Sequence, residues 1–139
     1  MRILLGIVGM ALLAGCASSP VPVDKARLAS PNRVTAYQAQ MNHSGQIVVI
    51  RDSGFFGSGC YATVFLNGHP VARLNPSEKA YFNVPAGEWQ IGAALDGKGL
   101  CGANSERLEV EAAIQPGQSK RFRIFTPSDG AVQVKSSTF

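Results

Sequence analysis

Beyond residue 45, apolar and polar positions alternate with a period of two, the spacing of a half-buried strand. The run 105–114 shows it best. Leu108, Val110, Ala112 and Ile114 fall on one side, and Arg107, Glu109 and Glu111 on the other. Such a strand packs one face and wets the other. In 88–95, Trp89, Ile91, Ala93 and Leu95 share a face, and in 120–125 Phe122 and Ile124 oppose Arg121 and Arg123. Residues 46–51 form a β-branched run, which predicts a buried strand. Strands are also predicted over 61–66, 71–74, 79–84 and near 132–135.

Turn signals separate these runs. Asn67-Gly68 is the strongest, because both residues tolerate the positive φ of a type I′ hairpin turn. Asn75-Pro76-Ser77, Pro85-Ala86-Gly87, Gln115-Pro116-Gly117-Gln118 and Asp129-Gly130 supply the others. Seven or eight short strands so spaced predict an all-β fold, a small antiparallel β-sandwich over residues 45–139.

The pattern before residue 45 differs. Arg2 precedes an apolar run of about a dozen residues, short of the ~20 a spanning helix needs. A basic start, a short apolar core and a small-residue end mark an export signal. That end, Leu13-Ala14-Gly15-Cys16, resembles the lipobox of bacterial lipoproteins at every position. The resemblance implies acylation of the Cys16 sulfur, cleavage after Gly15 and acylation of the new amine. Residues 1–15 are then the signal peptide. Two or three acyl chains anchor stably where one binds only marginally. Ala17, rather than Asp, follows the cysteine, which points to the outer membrane, facing the periplasm. Residues 16–44 hold the lipidated N-terminus and a flexible Ser- and Pro-rich tether. Within them, Val34, Tyr37 and Met41 fall near helical spacing and leave 33–42 open between a short helix and an irregular cover.

The 139 residues carry 13 Lys and Arg against 9 Asp and Glu, and cleavage removes only Arg2, leaving +3. No aromatic-interleaved basic stripe accompanies that excess, so nucleic acid is not an expected partner. Of the three cysteines, Cys60 and Cys101 remain once Cys16 is lipidated. An even pair in an oxidising compartment predicts a disulfide. It would pin the start of the second predicted strand to the loop after the fifth. Closing a loop of about 40 residues contributes roughly 4 kcal/mol by chain entropy.

The segments Phe65-Leu66-Asn67-Gly68-His69-Pro70-Val71-Ala72-Arg73-Leu74 and Tyr81-Phe82-Asn83-Val84-Pro85-Ala86-Gly87-Glu88-Trp89-Gln90-Ile91 share a cadence of strands and turns. It resembles PEGA-like β-sandwich modules and the lipoproteins of domain-of-unknown-function family 2846 (DUF2846). Arg51 and Phe55-Phe56-Gly57-Ser58 fit the same lead-in, and the resemblance runs from about residue 45 to 125. It implies a small antiparallel sandwich on a lipid anchor, with no catalytic residues to carry over. The Cys60 and Cys101 pair belongs to no part of that pattern.

Candidate chemistry is sparse. His43 and His69 have no Ser, Asp or Cys arrangement suggesting a triad, and no metal-ligand spacing is present. Glu109 and Glu111 alternate on the wet face of one strand, which solubility explains. Asp96-Gly97-Lys98-Gly99 lacks the spacing of a phosphate loop. Phe55 and Phe56, between glycines, are candidate contact residues or a plug for the end of the sandwich. Arg121 and Arg123 beside Lys120 are a second candidate contact strip, or the wet face of an edge strand. The expectation is a non-catalytic, membrane-anchored envelope lipoprotein that needs no cofactor beyond its covalent lipid. Its partner would be an envelope protein. Alternatives are a binder of glycan, stacked on Trp89, Tyr61, Tyr81 or the Phe55-Phe56 loop, or an inhibitor of a periplasmic enzyme such as lysozyme.

Overall fold

The computed structural model describes residues 18–54, 56–103 and 105–138. Cys16, Ala17 and Phe55 lie outside them. Nine strands form two packed sheets: β1 (Arg27–Leu28), β2 (Ser44–Arg51), β3 (Tyr61–Leu66), β4 (His69–Leu74), β5 (Glu78–Pro85), β6 (Gly87–Asp96), β7 (Leu108–Ile114), β8 (Ser119–Phe125) and β9 (Gln133–Ser137). One sheet has the order β1-β5-β2-β8-β9 and the other β4-β3-β6-β7. The fold is the expected all-β sandwich. Its pairing is mostly antiparallel, but β1 with β5 and β2 with β8 run parallel.

The alternation places the core. Ile47, Val49, Phe82, Val84, Phe122 and Ile124 from the first sheet meet Val64, Leu66, Trp89, Ile91 and Ala93 from the second. Asn67 and Gly68 have φ of 48° and 80°, so the β3–β4 hairpin turns where the dipeptide predicts. Leu66 pairs with His69 across it. A disulfide joins Cys60, just before β3, to Cys101, in the loop after β6.

The N-terminal region departs from expectation. Where a free tether was predicted, residues 21–26 pack on the outer face of the first sheet, and Arg27–Leu28 join its edge as β1. Ser19 N–H donates to the Ser53 carbonyl at 2.7 Å. Val21 and Val23 pack with Ala26 on Val48, Ile50 and Tyr81, a second small core. The run Ile47-Val48-Val49-Ile50 is unbroken because both faces of β2 are covered. Composition misled here: the Pro and Ser residues suggest a free linker, but the Val and Ala residues among them seat the segment.

Residues 31–38 then form a strap. A 3-10 turn spans Pro31–Arg33, and no α-helix follows. Val34 bridges Ala72 on β4, and Asn83 N–H on β5 donates to the Tyr37 carbonyl at 2.8 Å. The Tyr37 ring meets Trp89 edge-on at 5.4 Å. The strap thus ties the β4 edge of one sheet to β5 of the other and closes one flank of the sandwich. Among the described residues, no such segment closes the opposite flank, between β7 and β9.

If residues 18–38 belong to the folded unit, a chain starting at Gly45 should be less stable than one starting at Ser18. The expected loss is at least about 3 kcal/mol, because it strips one partner from a buried ion pair. Urea unfolding of the two chains measures it. Equal midpoints and slopes would show the segment to be an ornament.

Candidate functional site

Three arginines organise the end of the sandwich where β2 finishes, and each acts differently. Arg51 closes β2 at 3% exposure, inside rather than on the surface. It has no carboxylate in contact. Its Nη1 donates to the carbonyls of Cys60 and Leu74 at 2.6 and 2.7 Å, and its Nη2 to that of Gly57 at 2.6 Å. Burial pushes its pKa down to about 10, with Glu78 opposing, so it remains a cation at neutral pH. One buried charge therefore holds the 57–60 loop and the end of β4 together.

Arg33 makes a two-pronged pair with Glu78, at 2.8 and 2.9 Å, and donates to the Arg73 carbonyl at 2.6 Å. Asn75 N–H adds a third bond to the same carboxylate at 2.8 Å. Burial would raise the Glu78 pKa. The hydrogen bonds from Arg33 and Asn75, with the charges of Arg33 and Arg27, outweigh it and hold the pKa below 4.5. The Glu78 bonds in turn raise the pKa of Arg33.

Arg123 pairs with Asp52, Nε lying 3.2 Å from Oδ1 and Nη2 bonded to Oδ2. Asp52 is buried and also accepts from Val21 N–H at 3.3 Å. Arg123 is thus committed to fastening the N-terminal segment. Nor is its strand an edge: β8 lies between β2 and β9, which corrects that expectation. Arg121 is exposed and separate from this pair. It bonds the Thr138 carbonyl at 3.2 Å.

The aromatic platforms are occupied as well. Trp89 is buried, and its Nε1 donates to the Pro85 carbonyl at 2.9 Å. Arg73 and Arg33 sit over the Tyr61 ring, at 4.4 and 5.3 Å. Lys79 sits 5.7 Å from the centre of the Tyr81 ring. Phe56 is half-buried and lines a recess of about 10 Å³ with Arg51, Asp52, Pro76 and Phe125. That volume admits one water and no ligand.

The roomier concavity is on the open flank. A groove of about 630 Å³ runs between the ends of β7, β8 and β9. Ser119, Ser136, Ser137 and Thr138 line it with hydroxyls, and Glu111, Lys120 and Arg121 with charge. Of the predicted contact residues, this groove includes Arg121. Arg123 and Phe56 lie elsewhere. The hydroxyl set left no mark in the sequence beyond a polar C-terminus, because strand order alone brings 111–113, 119–122 and 136–138 together.

Among the described residues, no group of three His, Cys, Asp or Glu stands close enough to hold a metal. None of their helices is long and apolar enough to cross a membrane. No protein-family model matches the chain, and no curated protein is significantly similar to it in sequence. The resemblance to PEGA-like modules therefore rests on its turn and core pattern alone.

The Glu78 pair yields a signed pH dependence. Its folded pKa is depressed, so its stabilisation is present above the unfolded value near 4.5 and is lost as pH falls through the lower folded value. Glu78→Gln should cost about 3 kcal/mol at neutral pH by stranding Arg33. The gap to wild type should shrink as pH drops below 4.5. Urea titrations at several pH values measure both, and a constant gap would reject the ion pair as its source.

Proposed function

We propose that this protein is a lipid-anchored, non-catalytic module of the bacterial envelope, held through Cys16 on the outer membrane and facing the periplasm. The observation that carries the proposal is the order of parts. An apolar export run ends in Leu13-Ala14-Gly15-Cys16, and a disulfide-bonded sandwich begins almost at once. A thioether needs a thiolate nucleophile, which Cys16 supplies. An oxidising compartment agrees with the Cys60–Cys101 bridge.

The non-catalytic part rests on how the buried ionisable groups are used. Acid–base catalysis favours a carboxyl whose pKa is pushed up towards neutrality. Glu78 is displaced the other way, and Asp52 is bonded to an arginine. Arg51 is spent on carbonyls. These groups hold the fold.

Anchoring is tested by Cys16→Ala. The variant should lose its labelling by radioactive palmitate and keep residues 1–15 uncleaved, while circular dichroism of a purified chain starting at Ser18 is that of a β-protein. Retention of the label would reject lipidation at this cysteine.

For the bound partner, the open groove favours a second, more specific reading: a polar glycan. Four hydroxyls beside two cations and a carboxylate suit sugar hydroxyls and acidic substituents. Binding would proceed without aromatic stacking, since Trp89, Tyr61 and Tyr81 are covered. Calorimetric titration of a chain starting at Ser18 with peptidoglycan fragments should show millimolar or tighter binding. Arg121→Ala should weaken it about tenfold, equivalent to ~1.4 kcal/mol. Silence at millimolar concentration would remove the glycan reading and leave an envelope protein as the partner.

A further inference from the structure

The first strongly fixed point of the chain is Ser19, whose N–H and carbonyl both pair with Ser53 directly after β2. Three residue steps separate it from Cys16. Fully extended, they span at most about 11 Å. An acylated Cys16 would therefore hold this end of the sandwich close to the headgroups, because residues 20–29 are seated on the sheet and supply no slack.

The same end gathers the connections that follow β2, β4, β6 and β8, since all four strands finish there. Among the described residues its most exposed large apolar side chain is Leu100, at 92% exposure. Among the described residues, the other exposed large apolar side chains are Leu28 at 64% and Met41 at 40%. Leu28 lies on β1, which pairs with the first residues of β5 at this same end. Met41 precedes β2, at the opposite end.

Leu100 is also held stiffly. It sits in a 3-10 turn over Gly99–Gly102, next to the cysteine bonded to Cys60. A Cβ on Gly97 would fall 2.8 Å from that of Cys101, and one on Gly102 would fall 2.8 Å from the Gly97 carbonyl oxygen. The loop closes this tightly only with glycine at both positions, and the result presents Leu100 outward. Exposed Lys98 stands two residues before it, and no acidic residue lies within 97–103. The nearest acid along the chain on its N-terminal side, Asp96, is paired with Arg73 at 3.0 Å.

We propose that the Leu100 turn is a second membrane contact, inserting its leucine into the bilayer interface while Lys98 meets anionic headgroups, so that the sandwich stands on this end. The inference rests on lipidation of Cys16. It adds an orientation that lipidation alone does not require, because a free tether would leave the domain tumbling. An apolar tip flanked by lysine is suited to the headgroup boundary.

The test uses the full mature protein, lipidated in cells and reconstituted into vesicles of phosphatidylethanolamine and phosphatidylglycerol with brominated acyl chains. Two single variants are compared, Leu100→Trp and His69→Trp, the second at the far hairpin. Trp89 is buried in both and supplies a common background. Flotation first reads the anchor itself. Protein that fails to float with vesicles would overturn lipidation and this inference together. Among floated protein, the added emission of Leu100→Trp should shift to the blue and lose intensity to bromine, while that of His69→Trp should do neither. Equal intensity for the two added fluorophores, with flotation intact, would overturn the membrane contact and leave the anchor standing. Stronger quenching of His69→Trp would overturn it by reversing the orientation.

Discussion

A guanidinium buried without a carboxylate in contact governs the arrangement of this sandwich. Moving a charge from water into a protein interior is costly, and the cost is tolerable only where donors meet acceptors at good geometry. Arg51 meets three carbonyls, from Gly57, Cys60 and Leu74. Those oxygens belong to a glycine-rich loop and to the end of β4. The arginine ties both to the end of β2 with directed bonds. It also places Cys60 beside the end of β2. The disulfide, the Leu100 turn and the Ser19–Ser53 pairing are all built next to that point.

Two further arginine pairs extend the same solution outward. Arg33–Glu78 fastens the strap, and Arg123–Asp52 fastens the N-terminal segment. The first crosses from the strap to β5; the second joins β8 to the residue after β2, and its carboxylate in turn accepts from Val21 N–H. Neither pair is free for ligands, and each carboxylate is neutralised in place. Ionic bonds here position irregular chain on a regular sheet, and apolar packing of modest area, such as Val21 and Val23 on Ile50, then fills the gap.

This division of labour explains what the sequence revealed. Features encoded locally were legible. Asn67-Gly68 specifies its turn by dihedral preference alone, and Leu108 to Ile114 states its two faces by alternation. The cysteine pair followed from parity. Features encoded across sheets were not legible. Arg33 and Glu78 lie 45 residues apart, and nothing in either neighbourhood names the other. Alternation fixed which side of β8 is wet but not that β9 would flank it, so Arg123 was placed at an edge. One signal for Arg51 was present: an arginine extending the apolar run Ile47-Val48-Val49-Ile50 without a break. A charge that continues a doubly buried strand is a buried charge.

The two ends of the molecule consequently have different characters. At the end where β2 finishes, arginines, the disulfide and tight glycine turns make a stiff platform, and the chain arrives there from Cys16. The hydroxyl-lined groove lies towards the other end, since Ser119 opens β8 beside Gln46 and Ser137 lies opposite Arg121. It exists because the strap closes one flank only. Were the platform held on a membrane, as proposed, the groove on the open flank would lie towards the compartment side. A ligand there would meet backbone edges of β7 and β9 as well as hydroxyls, because neither strand has a neighbour beyond it in its sheet. The same asymmetry that leaves the sandwich incompletely closed thus gives the domain its accessible polar surface.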